Sequence, residues 1–293
     1  MQASLLALTT AVCFGINPLF VKWGFSGSTT TELGVFIGLA VAVPLYAVML
    51  PFFGGLHWEQ VTVPAFIGFI LGGLFGAGIG RGWLFGAIQQ IGASRATAIK
   101  NSSPLFSTLV ATLVLGESVS SLHWAAVVTI IAGLALVGWR ATSGESAHLE
   151  GKGVLMALGA AASYGVRPLF LKFGLDAADL PLTAALVGAI AAISPYTYTL
   201  ARRGGLSLGA RGTPPRTLWL FVVAGLLQGI GFLALTMALA EARVSVVYPI
   251  TAAAPIVTLA ASCVLFRSAE HLTWRVALGI LAVVVGVAVL TTR

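Results

Sequence analysis

The sequence predicts an all-α polytopic membrane protein with ten transmembrane helices, arranged as two inverted five-helix repeats around a central cavity. Three observations predict it: the composition, ten apolar runs of membrane-spanning length, and a second half that repeats the first. Of the 293 residues, 58% are hydrophobic and 9% charged, with a mean hydropathy of +0.99, whereas about a quarter of the residues in a soluble domain are charged. These values exclude a soluble globular domain.

The apolar runs, bounded by polar, Gly or Pro residues, fall at 3–24, 30–53, 62–90, 94–115 and 121–140, and then at 151–174, 180–202, 216–241, 244–266 and 272–291. About 20 apolar residues span a bilayer as a helix, so each run is one helix. The start, 1–15, is apolar but lacks a basic n-region and a clear small-residue cleavage site, and is read as a retained first helix. The third run is long, and it is expected to bend or unwind around Gly72, Gly73, Gly76, Gly78 and Gly80. Hydrophilic stretches occur at 141–151 and 202–215. The expected division is a first repeat over 1–140, a linker over 141–150 and a second repeat over 151–293.

The repeat is visible residue by residue. FGINPLFVKWGF at 14–25 aligns without a gap to YGVRPLFLKFGL at 164–175, an offset of 150. Further on Pro44 pairs with Pro195, Pro64 with Pro215 and Pro104 with Pro255, each at an offset of 151, as do Gly78-Ile79-Gly80 with Gly229-Ile230-Gly231 and Ser94 with Ser245. Such sustained register marks an internal duplication. Five helices per repeat is an odd number, so the second copy enters the membrane from the opposite side. Inverted repeats related by an axis in the membrane plane are the basis of alternating access in many secondary transporters, and transport is therefore the leading expectation.

The charge pattern supports a membrane setting over a nucleic-acid partner. The net charge is +7 and the pI about 9.9, but basic residues collect in cytoplasmic loops. Lys22, Arg95, Arg140, Lys152, Arg202, Arg203, Arg211, Arg216, Arg267 and Arg275 share one face, against Lys172, Arg243 and Arg293 on the other. Read literally, this puts the first face in the cytoplasm and both termini outside. Cys13 and Cys263 both lie in apolar runs and read as small core residues, with neither a disulfide framework nor a metal site.

All nine carboxylates (Glu32, Glu59, Glu117, Glu145, Glu150, Asp176, Asp179, Glu241 and Glu270) and the four histidines (His57, His123, His148 and His271) fall in loops or at helix ends. Proton relays through membranes use buried Asp, Glu or His, so proton-coupled export of cations is disfavoured and facilitative or exchange transport is favoured. The ionisable residues inside the runs are cations: Arg81, Lys100 and Arg167. Each is costly at membrane depth unless it meets water, a partner or a ligand. Lys100 can also snorkel to the headgroups, Arg167 can pair at a helix end, and Arg81 can bind backbone carbonyls freed by the glycines before it.

The symmetry-matched prolines Pro18, Pro44, Pro104, Pro168, Pro195 and Pro255 are candidate hinges, because each frees a carbonyl one turn earlier, at Phe14 and Tyr164 for the first pair. Lys100-Asn101-Ser102-Ser103 before Pro104 is the densest polar stretch inside any run, while its counterpart Thr251-Ala252-Ala253-Ala254 is much less polar. Any binding site is thus asymmetric. Asn17, Asn101 and Gln228 are candidates to hydrogen-bond a solute, and Tyr46, Trp83, Tyr164 and Tyr248 to line its site or stack on it. Trp58, Trp124, Trp219 and Trp274 sit near run ends and fit an interfacial belt. No catalytic dyad, zinc motif or nucleotide loop is visible, since the Gly-rich stretch 72–82 lacks the Gly-Lys-Ser/Thr ending and a preceding strand. The expected protein is not an enzyme, takes no cofactor and is complete as a monomer.

With the prolines of the first and sixth runs (Pro18, Pro168), those of the fourth and ninth (Pro104, Pro255) and Gly116-Glu117 closing the fourth, the chain resembles the drug/metabolite transporter superfamily, specifically its ten-helix EamA-type members. In the second half the Gly-Glu pair is replaced by Phe266-Arg267-Ser268-Ala269-Glu270, a departure from that pattern. Within the superfamily the chain is similar to bacterial amino-acid exporters, particularly those for aromatic amino acids. The resemblance implies a basket of helices around a central cavity, peripheral fifth and tenth helices, a multi-pass inner-membrane location and, against the charge count, cytoplasmic termini. It leaves phosphorylated metabolites, nucleotide sugars and drugs as alternative cargo.

Overall fold

The computed structural model describes residues 2–25, 29–53, 58–103, 105–106, 109–110, 121–138, 145–202, 212–241, 250–251, 254, 257–258, 260–261 and 274–291. Among them the fold is all-helical. In chain order the elements are α1 (Gln2–Gly24), α2 (Thr31–Met49), α3 (Val63–Gly73), a π-helix (Leu74–Gly80), α4 (Arg81–Ile91), α5 (Ala93–Lys100), α6 (Ser121–Gly138), α7 (Glu145–Ala177), α8 (Pro181–Arg202), α9 (Pro215–Glu241) and α10 (Trp274–Thr291). Six segments are long and apolar enough to cross a bilayer: Ala3–Gly24, Thr31–Phe52, Val63–Ile91, Gly151–Ala177, Pro181–Arg202 and Pro215–Leu235. The protein is a polytopic membrane protein.

Local chemistry sets where these helices begin. Thr30 and Thr62 each turn a hydroxyl onto the backbone N–H three residues on, at 3.3 and 3.4 Å, capping α2 and α3. Prolines open α8 and α9, where a missing N–H costs nothing. Gly92, at φ +84°, turns the chain from α4 into α5, a conformation open to glycine without strain. Helix α7 starts at Glu145, inside the stretch expected to be a linker over 141–150. At about 1.5 Å per residue it is longer than a bilayer core is thick, so its first turns project beyond it.

The third run neither unwinds nor breaks at its glycines. It continues from α3 into α4 through the seven-residue π-helix, one of the ways a helix absorbs an extra residue. The fourth run does break. After α5 the chain makes a turn at Asn101 and Ser102, with the Ser102 hydroxyl donating to the Ile99 carbonyl at 2.6 Å, and helix resumes at Ser103.

The two halves pack through each other. Helix α1 lies against α9 and, as its symmetry mate, α7 lies against α3 and α4, while α2 packs on α8 and α9 and α8 on α3. Close approach needs glycine at two symmetry-related places. A Cβ on Gly225 would come within 2.9 Å of the Gly38 backbone, and one on Gly73 would collide with the Gly188 backbone. The offset of 151 takes Gly38 and Gly225 to Ala189 and Leu74, each one residue from Gly188 and Gly73. Small residues let backbones touch where no hydrophobic force separates helix from lipid. Among the described residues helices α6 and α10 pack chiefly on each other. Leu5, Leu8 and Val12 form an exposed stripe on α1 opposite buried Ala7, Thr10 and Ala11, the pattern of a helix with one face on lipid.

Candidate functional site

Between the halves lies a cavity walled by α2, α3, the start of α4, α7, α8 and α9. Its volume is about 40 Å³. Its apolar lining includes Leu39, Phe69, Leu171 and Ala184, and its polar lining is Tyr46, Arg81, Tyr164, Arg167 and Gln228.

The two arginines come from different halves and are not repeat counterparts of each other. Arg167 is the repeat counterpart of Asn17, and Arg81 of Phe232, at the offsets of 150 and 151. The Arg167 side chain crosses the π-helix in the space beside Gly76 that any side chain there would fill. Its guanidinium then rests 4.5 Å from the centre of the Phe232 ring, a cation–π contact. Phe232 in turn lies 6.1 Å, ring centre to ring centre, from Tyr46. Arg81 is only 6% exposed and sits at the first position after the π-helix.

The π-helix is held from the opposite repeat. A π turn leaves carbonyls without their regular partners, and here Ser163 of α7 donates to the Phe75 carbonyl and Tyr196 of α8 to the Gly78 carbonyl, both at 2.8 Å. Side-chain hydroxyls do the work that Arg81 was a candidate for. The repeat counterparts of Ser163 and Tyr196 are Cys13 and Leu45, a weak donor and an alkyl chain. Correspondingly the third run's counterpart, α9, is regular α-helix throughout. The shared core of the motif is still symmetric: Tyr164 packs on Gly80 as Phe14 packs on Gly231.

Other residues singled out by sequence lie outside the cavity lining. Asn17 is buried between α1 and α9, its amide donating to the Ala224 carbonyl. Trp83 is 46% exposed, with its ring over Gly159 of α7. Lys100 places its Nζ 5.3 Å from the centre of the Tyr164 ring, one side chain removed from the cavity. Asn101 forms the turn after α5. Pro18, Pro44 and Pro195 lie within α1, α2 and α8, and Pro168 within α7. Tyr248, Pro104 and Pro255 lie outside the described residues. The carbonyl of Gly15, one residue from that freed by Pro18, accepts from Thr258 at 2.8 Å. Sequence reasoning missed Ser163, Tyr196 and Phe232; the position of Tyr196 beside repeat-matched Pro195 was the one available signal.

Phenylalanines of α4 and α9 and the residue after α1 pack on one another. Phe221, fully buried, lies 5.2 Å from Phe25 and 6.3 Å from Phe85, and Phe25 and Phe85 are 6.1 Å apart, ring centre to ring centre. Their repeat counterparts in the sequence are Leu175, Thr236 and Ile70.

A cavity between two inverted copies of one helical unit, with charged groups at its wall, fits the class of polytopic membrane transporters. The sequence model of the EamA-like transporter family matches residues 1–139 and again 151–292. The chain belongs to that family, within the drug/metabolite transporter superfamily. One solved crystal structure, 21% identical, matches 98% of this chain with 95% of its own and superposes at a TM-score of 0.64, a likeness of fold. No curated protein matches.

Proposed function

We propose that this protein is a secondary transporter of the inner (plasma) membrane that exports amino acids or related small carboxylate-bearing metabolites by alternating access, working as a monomer. The observation that carries the reading is the cavity between the inverted halves, where Arg81 and Arg167 stand among apolar walls with Tyr46, Tyr164 and Gln228. A guanidinium is the side chain best shaped to hold a carboxylate. The tyrosines and Gln228 supply donors and acceptors for the rest of a polar solute, and Leu39 and Phe69 supply an apolar surface.

Facilitative or exchange transport fits better than proton coupling. Among the described residues lining the cavity there is no Asp, Glu or His, the groups that relay protons. By the charge count Phe25, Phe85 and Phe221 lie toward the cytoplasm, and we propose that their packing closes that end of the cavity.

The test is uptake into proteoliposomes of the purified full-length protein, with labelled amino acids and small carboxylates, with and without a pH gradient and with unlabelled compound inside. The expected outcome is saturable uptake, stimulated by internal substrate and indifferent to the pH gradient. Uptake driven by the gradient would contradict the facilitative mechanism, and the absence of saturable uptake of any compound would contradict transport of this class.

A further inference from the structure

We infer that the π-helix is a two-state element: the hydroxyls of Ser163 and Tyr196 hold it as a π turn in the access state of this structure, and it rewinds to α-helix in the opposite state, turning Arg81 away from the cavity. This deepens, and rests on, the transport reading above. Inverted repeats change access when the two halves exchange conformations, so a place where the halves differ is a place that moves. The third run and its counterpart differ in this way. Residues 74–80 form the π-helix, whereas 225–231, at the offset of 151, lie within regular α9.

The π form depends on the opposite repeat. Tyr196 donates to the Gly78 carbonyl, and the backbone N–H of Arg81 donates to the same oxygen, which has two lone pairs and accepts both. Ser163 donates to the Phe75 carbonyl three residues earlier. In α9 the corresponding residues are Leu226 and Gly229, and the positions that would serve them carry Cys13 and Leu45. The hydroxyl that α9 does receive, from Thr10 at 3.2 Å, falls on the Gly231 carbonyl. A π turn is therefore held in one half only, and the change belongs to the third run.

The segment can rewind with little obstruction. Glycine at 76, 78 and 80 leaves Leu74, Phe75, Ala77 and Ile79 as its side chains, and Ile79 is 42% exposed. Returning the Arg81 N–H from Gly78 to its regular α-helical acceptor four residues back, Ala77, takes the extra residue out of the turn. One residue of α-helix is about 100° of rotation and about 1.5 Å of rise, so Arg81 swings off the cavity wall and the substrate loses a contact as access changes.

The test reads access directly and needs no substrate. In the full-length protein with Cys13 and Cys263 replaced by Ser, Ala185→Cys at the cavity wall is labelled with a membrane-impermeant maleimide from each side of oriented vesicles. Tyr196→Phe and Ser163→Ala should each shift the ratio of labelling toward the face less labelled in the parent, by about three- to twentyfold, which is about 0.6–1.7 kcal/mol. Ser163→Thr, which keeps a hydroxyl, should retain the parent ratio. An unchanged ratio in either folded variant, a shift the other way, or a rise on both faces together would overturn the inference.

Should both variants fail to fold, amide hydrogen exchange of the unaltered protein decides. Residues 74–80 should exchange faster than 225–231, because their hydrogen bonds break and re-form at each change of access, and equal or slower exchange would overturn the inference. Counterflow in proteoliposomes separates the transport reading from this one. A shifted ratio without flux of any compound upholds the switch and overturns transport, whereas flux with an unchanged ratio upholds transport and overturns the switch.

Discussion

Asn17 and Arg167 show how one repeat position serves two purposes. Both immediately precede a helix proline, yet Asn17 is buried and spends its amide on the Ala224 carbonyl, while Arg167 reaches over Gly76 to the cavity and stacks on Phe232. The difference is one of length and charge. An amide saturates locally, and a guanidinium on three methylenes carries its charge to where water or a ligand stands. Replacing Asn17 by Ala should therefore cost stability, about 1 kcal/mol or less as for other interhelical hydrogen bonds in membranes, with little change in the apparent affinity for substrate. Replacing Arg167 by Gln should do the reverse. Thermal unfolding in detergent beside half-saturation of uptake separates the two, and an Asn17→Ala variant with intact stability and lost affinity would place Asn17 at the substrate.

At the scale of the element, the π-helix is the feature that distinguishes the halves. Its carbonyls at Phe75 and Gly78 are met by Ser163 and Tyr196, and the cavity arginine Arg81 follows directly after it. Tyr196→Phe and Ser163→Ala should each destabilise by about 0.6–1.7 kcal/mol, and each should weaken substrate binding even though neither hydroxyl lines the cavity, because the aim of Arg81 depends on the turn before it. Equal affinity in both variants and the parent would show that the π-helix does not position Arg81.

How much of this was legible beforehand follows from the same chemistry. The bilayer demands long apolar runs, and the duplication preserves prolines and glycines, so the helices and their inversion can be read directly from residues such as Pro18 with Pro168 and Gly80 with Gly231. Arg81 and Arg167 stand out because cations are costly at that depth. The π-helix leaves no such mark. A Gly-rich stretch admits bending, unwinding or a π turn alike, and the choice is made by hydroxyls over 80 residues away in the chain. In a helix with apolar residues all round, periodicity does not tell the lipid face from the cavity face, so the packing of Trp83 on Gly159 could not be read in advance. The start of α7 at Glu145 could not be read from a polar stretch, since a helix continuing into water looks like a linker in composition.

At the scale of the whole molecule, the proposed closure is the packed cluster of Phe25, Phe85 and Phe221, whose repeat counterparts in the sequence are Leu175, Thr236 and Ile70. On that proposal the packed rings hold one end of the cavity closed, and alternating access requires the cluster to separate when the other end shuts. The most direct measurement replaces Cys13 and Cys263 with Ser, introduces Ala185→Cys at the cavity wall, and applies a membrane-impermeant thiol reagent from each side of oriented vesicles. The expected result is labelling mainly from the face opposite the phenylalanine cluster, with Phe221→Ala raising labelling from the cluster face at the expense of the other. Simultaneous, undiminished labelling from both faces would describe a channel, and would contradict alternating access at this cavity.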